Sequence, residues 1–210
     1  MRVVVPFDAA TPKTRLEGTL TAPERATLAR AMLADVVEAV REAGGHPEIL
    51  STASVPDAPA PLTQDDRTLT EAVNAVLAEA SDPVAIVMAD LGLATPASIT
   101  RLFETAGDVV LAPGRGGGTN AIVVRDTDFR VDYHGISIRD HRRIAAEIGA
   151  TMAEVDSARL STDVDEPADL PDLLLRGEGR AQAWLAERFR LAVTDGRVAV
   201  RRRQEPALDS

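Results

Sequence analysis

Lys13 is the only lysine among the 23 basic residues of this 210-residue sequence, the other 22 being arginines, and Arg15 stands two positions beyond it. On an irregular segment such a pair can close on one polyanion, the ammonium as a compact point charge and the guanidinium as a bidentate fork. Acids complement them. Asp90 ends the apolar run Val84-Ala85-Ile86-Val87-Met88-Ala89, and Asp163 and Asp165 flank Val164 just ahead of Glu166-Pro167. Two carboxylates from different loops can hold Mg2+ between phosphate oxygens, as phosphoryl transfer requires, and either Asp163 or Asp165 can be the partner of Asp90. The same residue types also serve as caps, so Asp165 can instead start the following helix and Asp90 can close a loop. A third element is Gly114-Arg115-Gly116-Gly117-Gly118-Thr119-Asn120, in which Gly117 and Gly118 can offer backbone N–H groups to a phosphate or a nucleobase. Neither a G-x-G-x-x-G run nor a P-loop ending in Gly-Lys-Ser/Thr is present, which argues against a dinucleotide enzyme and an ordinary P-loop NTPase. Cations and paired acids at one sheet edge favour nucleotide chemistry over passive binding.

The elements that must position these groups alternate. Residues 2–6 form a short β-branched run stopped by Pro6, the pattern of a buried parallel strand, and residues 7–20 show no sustained period, a long loop that carries Lys13 and Arg15. Thr21-x-x-Glu24 is a capping box with Pro23 in the first turn, and Leu28, Met32, Val36 and Val40 continue at helical spacing until Gly44-Gly45. Strands are expected at 48–51, 84–88, 109–112, 121–124 and 152–155, with the proline-rich stretch 55–62 a surface loop. Helices are expected over 69–80, after the Thr95-Pro96 cap, over 140–149 and after Pro167. This order implies a three-layer α/β fold around a mainly parallel central sheet, whose ligands bind beyond the carboxyl ends of the strands. Leu191, Val193, Val198 and Val200 alternate about Asp195-Gly196, a two-residue hairpin signal, and Arg201-Arg202-Arg203 then read as a solvated end. With no composition break, residues 1–210 are expected to be a single domain with a helical and hairpin extension over about 177–210.

Bulk properties narrow the chemistry. The sequence has no cysteine and three histidines, so thiolate metal sites and cysteine nucleophiles are excluded and oxygen-bound Mg2+ leads as cofactor. A formal charge of −10 repels nucleic-acid phosphates and anionic membranes, which argues against both as partners. No apolar run is long enough to span a bilayer and the start does not read as a signal peptide, so a cytoplasmic location is expected. The acidic excess and arginine skew fit a halophilic or GC-biased source. The terminal hairpin leaves edge strands that a second subunit can cover, making a homodimer the expected assembly.

Several segments, in order, resemble the 2-phospho-L-lactate guanylyltransferase family. They are Val5-Pro6-Phe7 with Pro12-Lys13-Thr14-Arg15-Leu16, the helix segment Ala31-Met32-Leu33-Ala34-Asp35-Val36, Ala89-Asp90-Leu91, and Ala112-Pro113 with Gly117-Gly118-Thr119-Asn120-Ala121. His134-Gly135-Ile136-Ser137 with His141, and Asp163-Val164-Asp165-Glu166-Pro167-Ala168-Asp169-Leu170, complete the set. The resemblance covers about residues 2–170, and its closing acidic motif is shared with wider nucleotidyltransferases. It implies a nucleotide-diphospho-sugar-transferase-like (GT-A-like) fold, GTP as donor and a small phosphorylated carboxylic acid as acceptor, 2-phospho-L-lactate on the route to coenzyme F420. Lys13, Arg15 and Asp90 are then the catalytic candidates, with Lys13 and Arg15 on the GTP phosphates and Asp90 and one of Asp163 and Asp165 on the metal. The resemblance likewise implies that Thr119, Gly135 and Ser137 hold the acceptor acid. His134 and His141 read as structural or acceptor-loop residues rather than metal ligands. Thr70 stands where the family tends to place asparagine, which puts a nucleotide contact there in doubt.

The mechanism implied is in-line attack of the acceptor's phosphate oxygen on the α-phosphorus of GTP, with diphosphate leaving and no protein nucleophile. Phosphoenolpyruvate and 3-phosphoglycerate remain alternative acceptors. A molybdopterin or sugar-phosphate nucleotidyltransferase is disfavoured by the lack of an early glycine-rich loop after the first strand. A catalytically silent nucleotide-binding protein is disfavoured by intact Lys13, Asp90 and the Asp163/Asp165 pair.

Overall fold

The computed structural model describes residues 1–194 and 196–203; the expected turn residue Asp195 and the polar tail beyond Arg203 lie outside the described residues. Strand β1 (Arg2–Phe7) shows why the fold is layered. Its side chains alternate, so Val3, Val5 and Phe7 pack with α1 (Ala22–Glu42) and α3 (Pro96–Glu104) on one face of the sheet. Val4 enters a second cluster with α2 (Leu69–Glu79) and α4 (Ser137–Ile148) on the other. Both faces are covered, which is what a continuous β-branched run requires. The expected helical stripe holds, since Leu28, Met32, Val36 and Val40 are all fully buried.

The remaining strands are β2 (His46–Ser51), β3 (Leu62–Gln64), β4 (Val84–Val87), β5 (Val109–Pro113), β6 (Thr119–Val124) and β7 (Met152–Glu154), in the spatial order β3-β2-β1-β4-β6-β5-β7. Every pairing is parallel except those of β6, which runs antiparallel to both β4 and β5. The mainly parallel expectation therefore stands with one reversed strand. Three boundaries are corrected. The stretch read as surface loop to Leu62 ends in the edge strand β3. The glycine-rich loop is a β5–β6 turn that stops earlier, because Thr119 and Asn120 already belong to β6. Helix α4 starts at Ser137, not 140, with Asp140 in its first turn.

A third apolar cluster seats the first loop. Leu16, in a single 3-10 turn (Thr14–Leu16), is fully buried against Leu28, Met32, Leu93, Val164 and Leu170. It anchors the segment that carries Lys13. The same cluster includes α5 (Leu170–Arg176), α6 (Arg180–Arg188) and Phe189, the first residue of β8 (Phe189–Thr194), which pairs with β9 (Arg197–Arg202) as the expected hairpin. No helix among the described residues is long and apolar enough to cross a membrane.

The arginine run stays exposed, as expected, but Arg202 and Arg203 are tied to the fold. Arg202 lies over the Phe189 ring at 4.7 Å and donates to both carboxylate oxygens of Glu24 at 2.7 and 2.9 Å, while Arg203 donates to the carbonyls of Ala186 and Phe189. Glu24 also closes the capping box with Thr21, so one carboxylate ties the hairpin to the start of α1. The Arg202 guanidinium, aided by the Thr21 bonds, holds Glu24 down at about 2, below its usual 4.5. A carboxylate with a depressed pKa contributes stability that is full above its unfolded value and lost as pH falls toward the folded one, so this anchor weakens between about pH 4.5 and 2. Because Arg202 is partly exposed, Glu24→Gln is expected to cost only about 1–2 kcal/mol at pH 7. Thermal unfolding of the two proteins at pH 7 and at pH 3 checks this, the gap narrowing at the lower pH.

Candidate active site

The carboxyl ends of β1 and β4 open on a cleft of about 350 Å³ lined by Thr11, Lys13, Arg15, Met88, Asp90 and Asp165 among others. Lys13 has a left-handed backbone, φ 58° and ψ 42°, unusual for a residue with a Cβ. That conformation directs the ammonium inward rather than to solvent. Its side chain is only 9% exposed, with Nζ 2.9 Å from Asp90 Oδ2 and 3.4 Å from Asp165 Oδ1. Arg15, 67% exposed, donates from Nη1 to Asp165 Oδ2 at 2.9 Å. Four residues from three segments thus form one alternating chain of charge.

Backbone pairing explains the convergence. The carbonyl of Asp90 accepts from the N–H of Val164 at 3.1 Å, so the 163–165 segment runs beside the end of β4 while Val164 is buried in the third cluster. Asp165 is delivered to Lys13; Asp163 instead accepts from Asn120 Nδ2 at 3.2 Å. Asp169 fixes the turn, with Oδ2 accepting the N–H groups of Asp165 and Glu166 and Oδ1 accepting from Arg115 at 2.9 Å. The 163–166 loop and the glycine-rich turn are therefore braced by one carboxylate. Gly114 is required there, because a Cβ at this position would stand 2.5 Å from Asn120 Oδ1.

The donor set suits a cation shared with a substrate. Among the described residues no three His, Asp or Glu side chains gather as a complete metal cage. Mg2+ in phosphoryl-transfer sites is commonly held by one or two carboxylates plus substrate phosphates and waters, so a full cage is not needed. Asp90 Oδ1 is buried and has no hydrogen-bond partner, an oxygen whose burial is costly unless a cation or donor meets it. Asp90 and Asp165 are the residues that fit.

Thr119 and Ser137 come together beside the glycine-rich turn, and Gly135 lies on the loop that leads into α4. Thr119 Oγ1 lies 2.8 Å from His141 Nδ1 and 3.4 Å from Ser137 Oγ, and the N–H of Ile138 reaches the Gly117 carbonyl at 3.3 Å. The loop 131–136 that carries Gly135 is held from α2. Asn74 clamps Val131 through both its amide atoms, and Thr70 Oγ1 accepts from the N–H of Tyr133 at 3.0 Å. Thr70 is thus occupied in supporting this loop. The sequence marks Asn120 and Asp169 only as members of motifs, without a role, and for Asn74 the one signal is its position a helical turn after Thr70. His134, 76% exposed, bonds the Asp132 carboxylate, whereas His141 is buried inside α4.

The family model described as "Guanylyl transferase CofC like" matches residues 1–205. The chain belongs to this family. A 2-phospho-L-lactate guanylyltransferase of Halomicrobium mukohataei is 60% identical over 203 residues, covering 96% of this chain and all of that one. The protein of the same name from Haloferax volcanii is 58% identical, covering 97% of this chain and all of its own. Among solved structures, a putative nucleotide-diphospho-sugar transferase from Desulfovibrio desulfuricans superposes with TM-score 0.70 at 16% identity, over 89% of this chain and 94% of that one. A nucleotidyl transferase from Methanothermobacter gives TM-score 0.59 at 14% identity, over 89% and 98%. These likenesses establish the nucleotide-diphospho-sugar-transferase-like fold expected from the motifs.

Proposed function

We propose that this protein transfers GMP from GTP to 2-phospho-L-lactate, releasing diphosphate and forming lactyl-2-diphospho-5'-guanosine for coenzyme F420 biosynthesis. The observation that carries the reading is the Lys13–Asp90–Asp165 array in one cleft of a chain that matches curated guanylyltransferases along their full length. Lys13 and Arg15 exchange carboxylate partners for phosphate oxygens when the triphosphate enters, and Gly117 and Gly118 present backbone N–H groups to the nucleotide. Thr119, Ser137 and the backbone at Gly135 hold the acceptor with its phosphate in line with the α-phosphorus. Asp90 and Asp165 would hold Mg2+, which when bound would neutralise phosphate charge. The attacking phosphate is already ionised near neutral pH, so no side chain has to act as base, and Lys13 balances the charge growing on the departing diphosphate.

Diphosphate release measured with four nucleoside triphosphates against 2-phospholactate, phosphoenolpyruvate and 3-phosphoglycerate tests this. GTP with 2-phospholactate is expected to give the highest kcat/KM. A faster pairing, or no release with any, would replace the reading. The expected setting is a salt-rich cytoplasm, which the charge of −10 suits. The assembly we infer is a homodimer joined at the hairpin, where Val193 is 74% exposed and its cross-strand partner Val198 is 54% exposed. Light scattering in high salt should return the mass of two chains, and a monomer mass would remove this inference.

A further inference from the structure

Both ring nitrogens of His141 are engaged, and one engagement fixes the other. Nε2 lies 3.0 Å from the backbone N of Asp132, which can only donate, so Nε2 must carry a lone pair. Burial pushes this histidine down to about 4 against the opposing pull of Asp132 and Asp140, and the aromatic rings of Phe129 and Tyr133 pack on it. The imidazole is therefore neutral, with its single proton on Nδ1. That proton is directed at Thr119 Oγ1, 2.8 Å away.

The consequence runs outward along the chain of hydroxyls. Thr119 Oγ1 accepts from His141, and Ser137 Oγ, 3.4 Å from it, either donates to the threonine or receives its proton. In either case one O–H of the pair has no acceptor among the described residues, and with Thr119 3% and Ser137 4% exposed it can donate only to a group bound directly against them. Anchored the other way, Thr119 would spend its one proton on His141 and could offer a bound anion only a lone pair, which repels it.

We propose that His141 is a positioning residue that sets the direction of these hydrogen bonds, so that Thr119 and Ser137 offer a proton to an anionic group of the acceptor. This rests on the reading of Thr119 and Ser137 as acceptor-binding residues. It assigns His141 a part in discriminating among acceptors without any contact with them. The effect is expected on acceptor binding rather than on GTP binding, because Lys13 and Arg15, assigned to the GTP phosphates, bond to Asp90 and Asp165 and not to His141, Thr119 or Ser137.

Two measurements test it. Nitrogen-15 NMR of the wild-type protein near pH 7 should find His141 protonated at Nδ1 and bare at Nε2. In kinetics, His141→Phe keeps the packing against Phe129 and Tyr133 while removing both polar contacts. It should raise the KM for the acceptor acid about tenfold to a hundredfold and leave the KM for GTP within about twofold. His141→Gln, which can accept and donate through one amide, should recover part of the loss. Thr119→Val should abolish the dependence, so that adding His141→Phe to it changes the acceptor KM no further. A proton on Nε2, or penalties of the two substitutions that simply add, would overturn the role. If none of the phosphorylated acids turns over with the wild-type protein, the functional reading fails separately and the tautomer still decides the orientation of the chain. Should His141→Phe fold poorly, the tautomer and the His141→Gln comparison carry the same decision.

Discussion

Asp90→Asn is expected to lower turnover by about 10²- to 10³-fold or more, with excess Mg2+ restoring little of it, while the fold survives. The two oxygens of Asp90 have different circumstances. Oδ2 takes the Lys13 ammonium at 2.9 Å, and Oδ1 is buried with no partner at all. An amide leaves one oxygen and adds two donors, so it either turns an N–H toward the ammonium or loses the negative oxygen that a cation would meet. The contribution to folding is small by comparison. The carboxylate sits beside an open cleft, its side chain 29% exposed, and its backbone carbonyl keeps the bond from Val164 in the variant. In the wild-type protein, a chelator should abolish diphosphate release and added Mg2+ should restore it. Full activity in excess chelator, or near-normal turnover by Asp90→Asn, would show that no cation acts here.

The parts of the molecule that were legible in sequence are those whose signal is local. Strands β1 and β4 announce themselves as unbroken apolar runs, and α1 by a capping box and a helical stripe. Direction is not local. The run in β6 is buried on both faces, and such a run looks the same whether its neighbours are parallel or antiparallel; only the return through the 114–118 turn reverses it. Strand β3 is three residues long, lies at the sheet edge and follows prolines, so nothing in its composition separates it from loop. At the candidate site, Lys13 is conspicuous by rarity and Asp90 by ending a strand. Asp163 and Asp165 share one parity about Val164, and the pattern gives no basis for choosing between them; the choice comes from Asn120 and Lys13, distant in sequence. Asn74 and Asp169 act on backbone N–H and C=O groups, which every residue has, so their partners leave no trace in side-chain type.

Lys13→Ala is expected to lower turnover about 10²- to 10³-fold at saturating GTP and acceptor, roughly 3–4 kcal/mol of transition-state stabilisation. The ammonium is held between Asp90 and Asp165 with 9% of the side chain exposed, so the site carries a positive charge already in place when negative charge moves onto the departing diphosphate. Its loss leaves two carboxylates facing each other, though Asp165 keeps Arg15 and both reach the cleft, which limits the effect on folding. The backbone separates the two consequences. At φ 58° any residue with a Cβ is strained, and glycine is not, so Lys13→Gly should be about 1 kcal/mol more stable than Lys13→Ala yet equally inactive. A lysine serving only the loop's shape would instead let activity follow stability, with Lys13→Gly more active than Lys13→Ala. Lys13→Arg keeps the charge but replaces a compact ammonium with a planar fork in a space bounded by two carboxylates, and partial recovery of turnover is expected. Paired measurements of kcat and of the thermal unfolding midpoint across the three variants read both quantities. If Lys13→Ala turns over at near the wild-type rate, charge neutralisation by the one lysine of the chain is not part of the reaction, whatever the geometry of the cleft.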